Sequence, residues 1–150
     1  MRGWIKVGKI VAINISEKKG VIKHTIEKGF LKANYGLDGD AHGGSWHRQV
    51  SLLAIESINK MESLGIKALK PGSFAENLTT EGIVLYELKI GTKIKIGEVI
   101  LEITQIGKEC HKGCEIRNLV GDCVMPREGV FARVLNEGWV KAGDSIEVML

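Results

Sequence analysis

Three cysteines and two prolines are all that this chain holds of the residues that most often staple or stiffen a fold. An odd number of cysteines, crowded between positions 110 and 123, is no disulfide framework. At 150 residues the chain is long enough to rely on an apolar core instead, and it is expected to form one domain over residues 1–150. Long apolar runs are lacking too. No stretch approaches the ~18–20 residues that span a bilayer. The start, Met1-Arg2-Gly3-Trp4-Ile5-Lys6, has neither the apolar stretch nor the small-residue cleavage site of a signal peptide. A cytoplasmic protein without a membrane partner is expected. Neither sign of charge dominates. A net charge of +3 falls short of the strongly basic balance of nucleic-acid-binding domains, so no nucleic-acid partner is expected, although a local basic pocket for a phosphate fits that charge.

Glycine, by contrast, is plentiful, with 19 residues that fall between short apolar runs. That pattern reads as turns between strands. Residues 8–15 read as one strand, 21–26 as its neighbour and 49–53 as a third. The period then changes. Ile55, Ile58, Met61 and Leu64 recur every third residue and Gly65 follows, which predicts an amphipathic helix over 54–64 with a glycine C-terminal cap. Residues 93–104 alternate strictly on both sides of Gly97-Glu98, the clearest hairpin in the chain. A turn at Gly143-Asp144 leads to a last strand. Residues 130–135 suit either a helix or a strand. The expectation is a mostly β protein, a closed or nearly closed β-barrel with a few short helices.

The residues that can carry chemistry gather first in Gly107-Lys108-Glu109-Cys110-His111-Lys112-Gly113-Cys114 and Gly121-Asp122-Cys123. Cys110 follows a predicted strand, and loops on a rigid scaffold are where reactive groups usually lie. Lys108, His111 and Lys112 favour its thiolate, which is both the nucleophile and the metal-binding form, while Glu109 opposes it. Cys110 is therefore the candidate working thiol, with Cys114 or Cys123 as resolving or second-ligand thiols. Two other readings stand beside this one. The three cysteines can be small buried hydrophobes, or Cys110, Cys114 and Cys123 with a histidine can bind structural zinc, although the C-x3-C spacing is not the tight knuckle of such sites.

A second group is the glycine-rich run Tyr35–Gly44, continued by His47-Arg48-Gln49. In an extended backbone Asp40 and His42 point to the same side, which suits an acid–imidazole pair, half of a metal site, or a solvated loop with its aspartates on turn amides. The third is Lys70-Pro71-Gly72-Ser73-Phe74-Ala75-Glu76-Asn77. Ser73 and Glu76 have the spacing of a capping box at a helix start, where exposed amides can receive a phosphate. Arg117, Arg127 and Arg133 flank the cysteines and are candidate anion ligands.

Read together, these motifs resemble the MOSC domain family, named for the C-terminal domain of molybdenum cofactor sulfurase. Gly36-Leu37-x-Gly39-Asp40-x-His42 with Arg48-Gln49-Val50-Ser51-Leu52, then Pro71-Gly72-x-x-x-Glu76-Asn77-Leu78, then Gly107-Lys108-Glu109-Cys110, then Gly129-x-Phe131-Ala132-x-Val134 through Gly143-Asp144 occur in the family's order over nearly the whole chain. The resemblance implies a β-barrel and a role in carrying sulfur for, or binding, the molybdenum-pterin cofactor. The implied activity is of sulfurtransferase type. The alternatives are a non-catalytic carrier that binds and delivers the cofactor, or a structural zinc domain. Cys110, His42 and Asp40 are the implied catalytic residues, and Lys108, Arg48, Asn77, Arg117 and Arg127 the implied cofactor-binding ones. The implied partners are the small-molecule pterin and a cysteine desulfurase or a molybdoenzyme. Pyridoxal phosphate is not expected, because the chain has no room for the desulfurase domain of the fused sulfurases. Where many relatives have Arg-Pro before the cysteine, this chain has Lys108-Glu109. The geometric expectation is that the Asp40-His42 loop, Asn77 and Cys110 converge on one cleft.

Overall fold

The computed structural model describes residues 3–65, 69–107 and 125–149. Its strands are β1 (Trp4–Ile15), β2 (His24–Ile26), β3 (Lys28–Lys32), β4 (Gly36–Leu37), β5 (Val50–Ala54), β6 (Leu78–Glu81), β7 (Lys93–Ile96), β8 (Val99–Ile106), β9 (Val130–Asn136), β10 (Gly138–Lys141) and β11 (Ser145–Met149). The helices are α1 (Ile55–Ser63), the short α2 (Met125–Glu128) and a 3-10 turn over Leu85–Glu87.

Seven strands close into a barrel in the order β11-β7-β8-β9-β5-β6-β1, with β11 pairing back onto β1. The long β1 makes closure possible. Its first half, Trp4–Lys9, pairs with β11, and its second half pairs with β6 and then β2. Register shifts along β1 bend it between these partners, as bulges do in barrels. β3, β4 and β10 form a separate three-stranded sheet.

Alternation decides what lies inside. In β7 and β8 the side chains of Ile94, Ile96, Val99, Leu101 and Ile103 are buried, while Lys93, Lys95 and Glu102 face outward. Burial of each such aliphatic side chain contributes about 1.5–3 kcal/mol. The Gly97-Glu98 turn joins the two strands as the sequence predicts. β5 is different, being buried along its whole length. It pairs in parallel with β6, and parallel neighbours need a crossover connection. That crossover carries α1, whose Ile58 and Met61 pack with Leu53, Phe74, Ala75 and Phe131 in a second apolar cluster on the outside of the barrel. The helix ends as predicted, with the Gly65 amide donating to the Glu62 carbonyl and Gly65 at φ +100°.

Three local expectations are revised or resolved. Of residues 21–26 only His24–Ile26 is strand. Residues 130–135 are strand, in β9, because they are held between β8 and β5. The capping-box spacing at Ser73 and Glu76 starts no helix: residues 71–74 form a turn. The same side chains satisfy loop amides instead. Ser73 Oγ accepts the Lys70 N–H at 3.0 Å, and Glu76 accepts those of Gly72 and Phe74 at 2.9 and 3.2 Å.

Candidate functional site

β1 ends at Ile15, and the chain leaves it into an irregular stretch that returns at β2. That stretch carries Lys23, whose side chain is completely buried. A buried ammonium requires an anion and a full set of acceptors. Lys23 has them. Its Nζ lies 2.8 Å from Asp40 Oδ1, 2.9 Å from Ser16 Oγ and 3.0 Å from His42 Nδ1. Asp40 is likewise buried. Oδ1 also accepts the Ser16 amide at 3.0 Å, and Oδ2 accepts the His42 amide at 3.0 Å. Burial by itself would raise the Asp40 carboxyl, but the hydrogen bond and charge of Lys23 and the Ser16 amide hold it well below the usual carboxylate range. His42 is the member of this cluster that reaches solvent, its side chain 19% exposed.

The loop after His42 continues the site. Trp46 Nε1 donates to the His42 carbonyl at 2.8 Å, and Lys19 Nζ lies 5.0 Å above the Trp46 ring. His47 Nε2 lies 2.9 Å from Gln105 Oε1, and Arg48 Nε donates to the same oxygen at 3.0 Å. Arg48 also lies 5.2 Å from the centre of the Phe131 ring. Gln105 in turn donates to the Gly107 carbonyl at 2.8 Å, and the Gly107 amide to Gly129 at 2.7 Å. The loop bearing Asp40, His42, His47 and Arg48 is therefore tied to the last described residue before Lys108.

Behind this loop lies a second buried polar network. Glu76 is fully buried and accepts from the Gly72 amide and, at 2.6 Å, from the Thr79 hydroxyl. Among the described residues its hydrogen-bond partners are amides and a hydroxyl, and burial outweighs these bonds and pushes its carboxyl up. Asn14 donates to Thr79 Oγ1 and to the Glu76 carbonyl. Asn77 accepts the Ser51 amide at 3.0 Å and donates to the Asn14 carbonyl at 3.3 Å. The two networks meet twice. The Gly72 carbonyl accepts the Lys23 amide at 3.0 Å. On β1 and just past its end, Asn14 and Ser16 serve the second network and the first, two residues apart.

The sequence candidates therefore fall into three groups. Asp40 and His42 share one cluster, and Asn77 lies at the same end of β1, fully buried with its amide engaged by Ser51 and Asn14. Arg48 stands at the mouth of the loop. Arg127 is exposed on α2, with Nη2 4.0 Å from Met61 Sδ, and Arg133 pairs with Glu102 at 2.7 Å. Lys108, Cys110, Cys114, Arg117 and Cys123 lie outside the described residues. Among the described residues no group of three or more histidines, cysteines or carboxylates is arranged to hold a metal. No helix among them is long and apolar enough to cross a membrane. The sequence reading assigns Lys23 to a strand and gives it no role. Nothing within a few residues of it signals burial, because its anion lies 17 positions away.

The family model described as MOSC domain matches residues 38–147. The uncharacterized protein YflK of Bacillus subtilis (strain 168) is 25% identical over 159 aligned positions, spanning 97% of this chain and 71% of that protein. Among solved structures, YuaD protein from Bacillus subtilis superposes with a TM-score of 0.81 at 21% identity, covering 99% of this chain and 98% of that one. YiiM from Escherichia coli gives a TM-score of 0.65 at 18% identity, covering 99% and 69%. At such identities these structures speak to the fold.

Proposed function

The chain belongs to the MOSC domain family, and from that premise we propose that it carries sulfur for the molybdenum cofactor on the thiolate of Cys110. The observation that supports this reading most is the tie from the Asp40-His42 loop through His47 and Arg48 to Gln105 and Gly107, directly before the cysteine segment. The loop that carries Asp40 and His42 is thus linked to Gly107, the residue with which the cysteine motif begins.

The transfer balances without an external oxidant. The Cys110 thiolate attacks the outer sulfur of a persulfide donor such as a cysteine desulfurase supplies. A new S–S bond forms, the donor's S–S bond breaks, and the donor leaves as thiolate. Cys110 then holds a persulfide for a pterin-bound metal centre, which is the substrate, or for a molybdoenzyme. The cationic candidates Lys108, Arg48, Arg117 and Arg127 suit the phosphate of such a ligand, arginine by its planar fork. Asp40 and His42 supply a polar edge beside it. Asn77 supports that edge from beneath, through the backbone of β1. A reducing compartment, the cytoplasm, is where a free working thiol persists.

The test is intact mass of the purified protein after exposure to a persulfide donor, before and after a thiol reductant, with elemental analysis of the same sample. A gain of one sulfur that the reductant removes, and that Cys110→Ser abolishes, is expected. Bound molybdenum with no sulfur gain turns the reading to a delivery protein. Stoichiometric zinc turns it to a structural site.

A further inference from the structure

His42 Nδ1 has two neighbours that compete for it. Lys23 Nζ lies at 3.0 Å, and Asp40 Oδ2 at 3.5 Å. The two partners impose opposite chemistry. If Nδ1 carries a hydrogen and donates to Asp40, the pair is an acid–imidazole dyad, and Nε2 is a free base. If Nδ1 accepts from Lys23, the ring hydrogen sits on Nε2.

Three observations favour the second arrangement. An ammonium is donor only, and among the described residues Lys23 Nζ lies within hydrogen-bond distance of Asp40 Oδ1, Ser16 Oγ and His42 Nδ1, so toward Nδ1 it can only donate. Asp40 Oδ2 already accepts the His42 backbone amide at 3.0 Å. And 3.5 Å is long for a hydrogen bond beside one of 3.0 Å. The Lys23 and Asp40 side chains are fully buried, and His42 is the one of the three that is partly exposed.

We infer that Lys23 is a positioning residue that fixes His42 in the tautomer with its hydrogen on Nε2, so that His42 meets a ligand as a hydrogen-bond donor to an anionic oxygen or sulfur and not as a general base. The ligand class rests on the sulfur-carrying reading above; the tautomer does not. The geometry also explains why a lysine is buried here. A neutral residue at 23 would leave Asp40 to capture Nδ1–H, and the same loop would then present a base.

The experiment is a long-range 1H–15N correlation spectrum of the ligand-free, 15N-labelled full chain near neutral pH. His42 is assigned among the four histidines by the signals lost in His42→Gln. The expected result is a protonated-type Nε2 and an unprotonated-type Nδ1. A protonated Nδ1, alone or in a doubly protonated ring, overturns the inference. In Lys23→Met the hydrogen should move to Nδ1, and in Lys23→Arg it should stay on Nε2. A folded Lys23→Met protein that keeps the wild-type tautomer also overturns it. Should that variant not fold, the wild-type spectrum decides alone. Failure of sulfur loading with the expected tautomer would sink the proposed function and leave this inference standing.

Discussion

Two buried carboxylates in this protein are held in opposite ways. Asp40 has a buried ammonium against it, and among the described residues Glu76 has amides and a hydroxyl. The consequence is that Asp40 is held ionised, whereas burial pushes Glu76 toward its protonated form. The difference is one of charge compensation, since dipoles alone rarely match the hydration that a fully buried carboxylate gives up. It also separates two uses. The Glu76 network is closed off and stitches a loop to β1 and β6. The Asp40 network opens to solvent through His42, which is where a ligand can be met.

The largest effect should come from removing the cation. Lys23→Met leaves a buried carboxylate without its cation and is expected to cost about 3–5 kcal/mol. Adding Asp40→Leu should recover most of that loss, because the pair is replaced by apolar groups. Chemical denaturation of the two variants checks this, and a double variant no more stable than the single one would mean that Asp40 is not stranded by loss of Lys23.

Gly72 joins the two networks, and its substitution comes next in size. It sits at φ +91°, and a Cβ there would lie 2.3 Å from the Lys23 carbonyl oxygen. Gly72→Ala combines that clash with left-handed strain of ~1–3 kcal/mol. We expect a lowered melting temperature and loss of the His42 tautomer signature, since Lys23 must move.

The smallest effect is a difference in sign with pH. A carboxyl held below its ordinary value contributes stability that is present above that value and lost on acidification. Asp40, ordinarily at 3.8, should therefore destabilise the fold as pH falls below about that point. Glu76 is raised above its ordinary 4.5, so the folded state holds the proton more tightly than the unfolded one, and its contribution is lost as pH rises beyond that value. Melting curves across pH for Glu76→Gln should lose the second trend and keep the first, at an overall cost of about 1–3 kcal/mol for an imperfectly matched amide. Identical pH profiles for variant and wild type would place the ionisation of Glu76 outside the folding balance.

Much of the architecture is legible because it is written in local periods. Residues 93–104 alternate and become β7 and β8. Ile55, Ile58 and Met61 recur at helical spacing and become α1, and Gly65 ends it. The capping-box reading at Ser73 and Glu76 fails for an informative reason. The same donors and acceptors serve equally in a turn, and a left-handed Ala75 at φ 62° together with Gly72 turns the backbone away from a helix. In the site, Asp40 and His42 are legible because they share one glycine-rich loop. Lys23 is not, because a lysine in a short polar stretch looks solvated until its partners are known.

By itself, then, the sequence determined most of β1 and β5, the β7–β8 hairpin, the last strand, the helix and its end, and the loop that carries Asp40 and His42, since each depends on neighbours within a few residues. Only the tertiary structure decided that β1 closes the barrel against β11, that Lys23 is buried against Asp40, and which atom of His42 faces that charge. Those outcomes depend on contacts between distant residues, and the energy of a buried charge is set by what surrounds it in space, not by what precedes it in the chain.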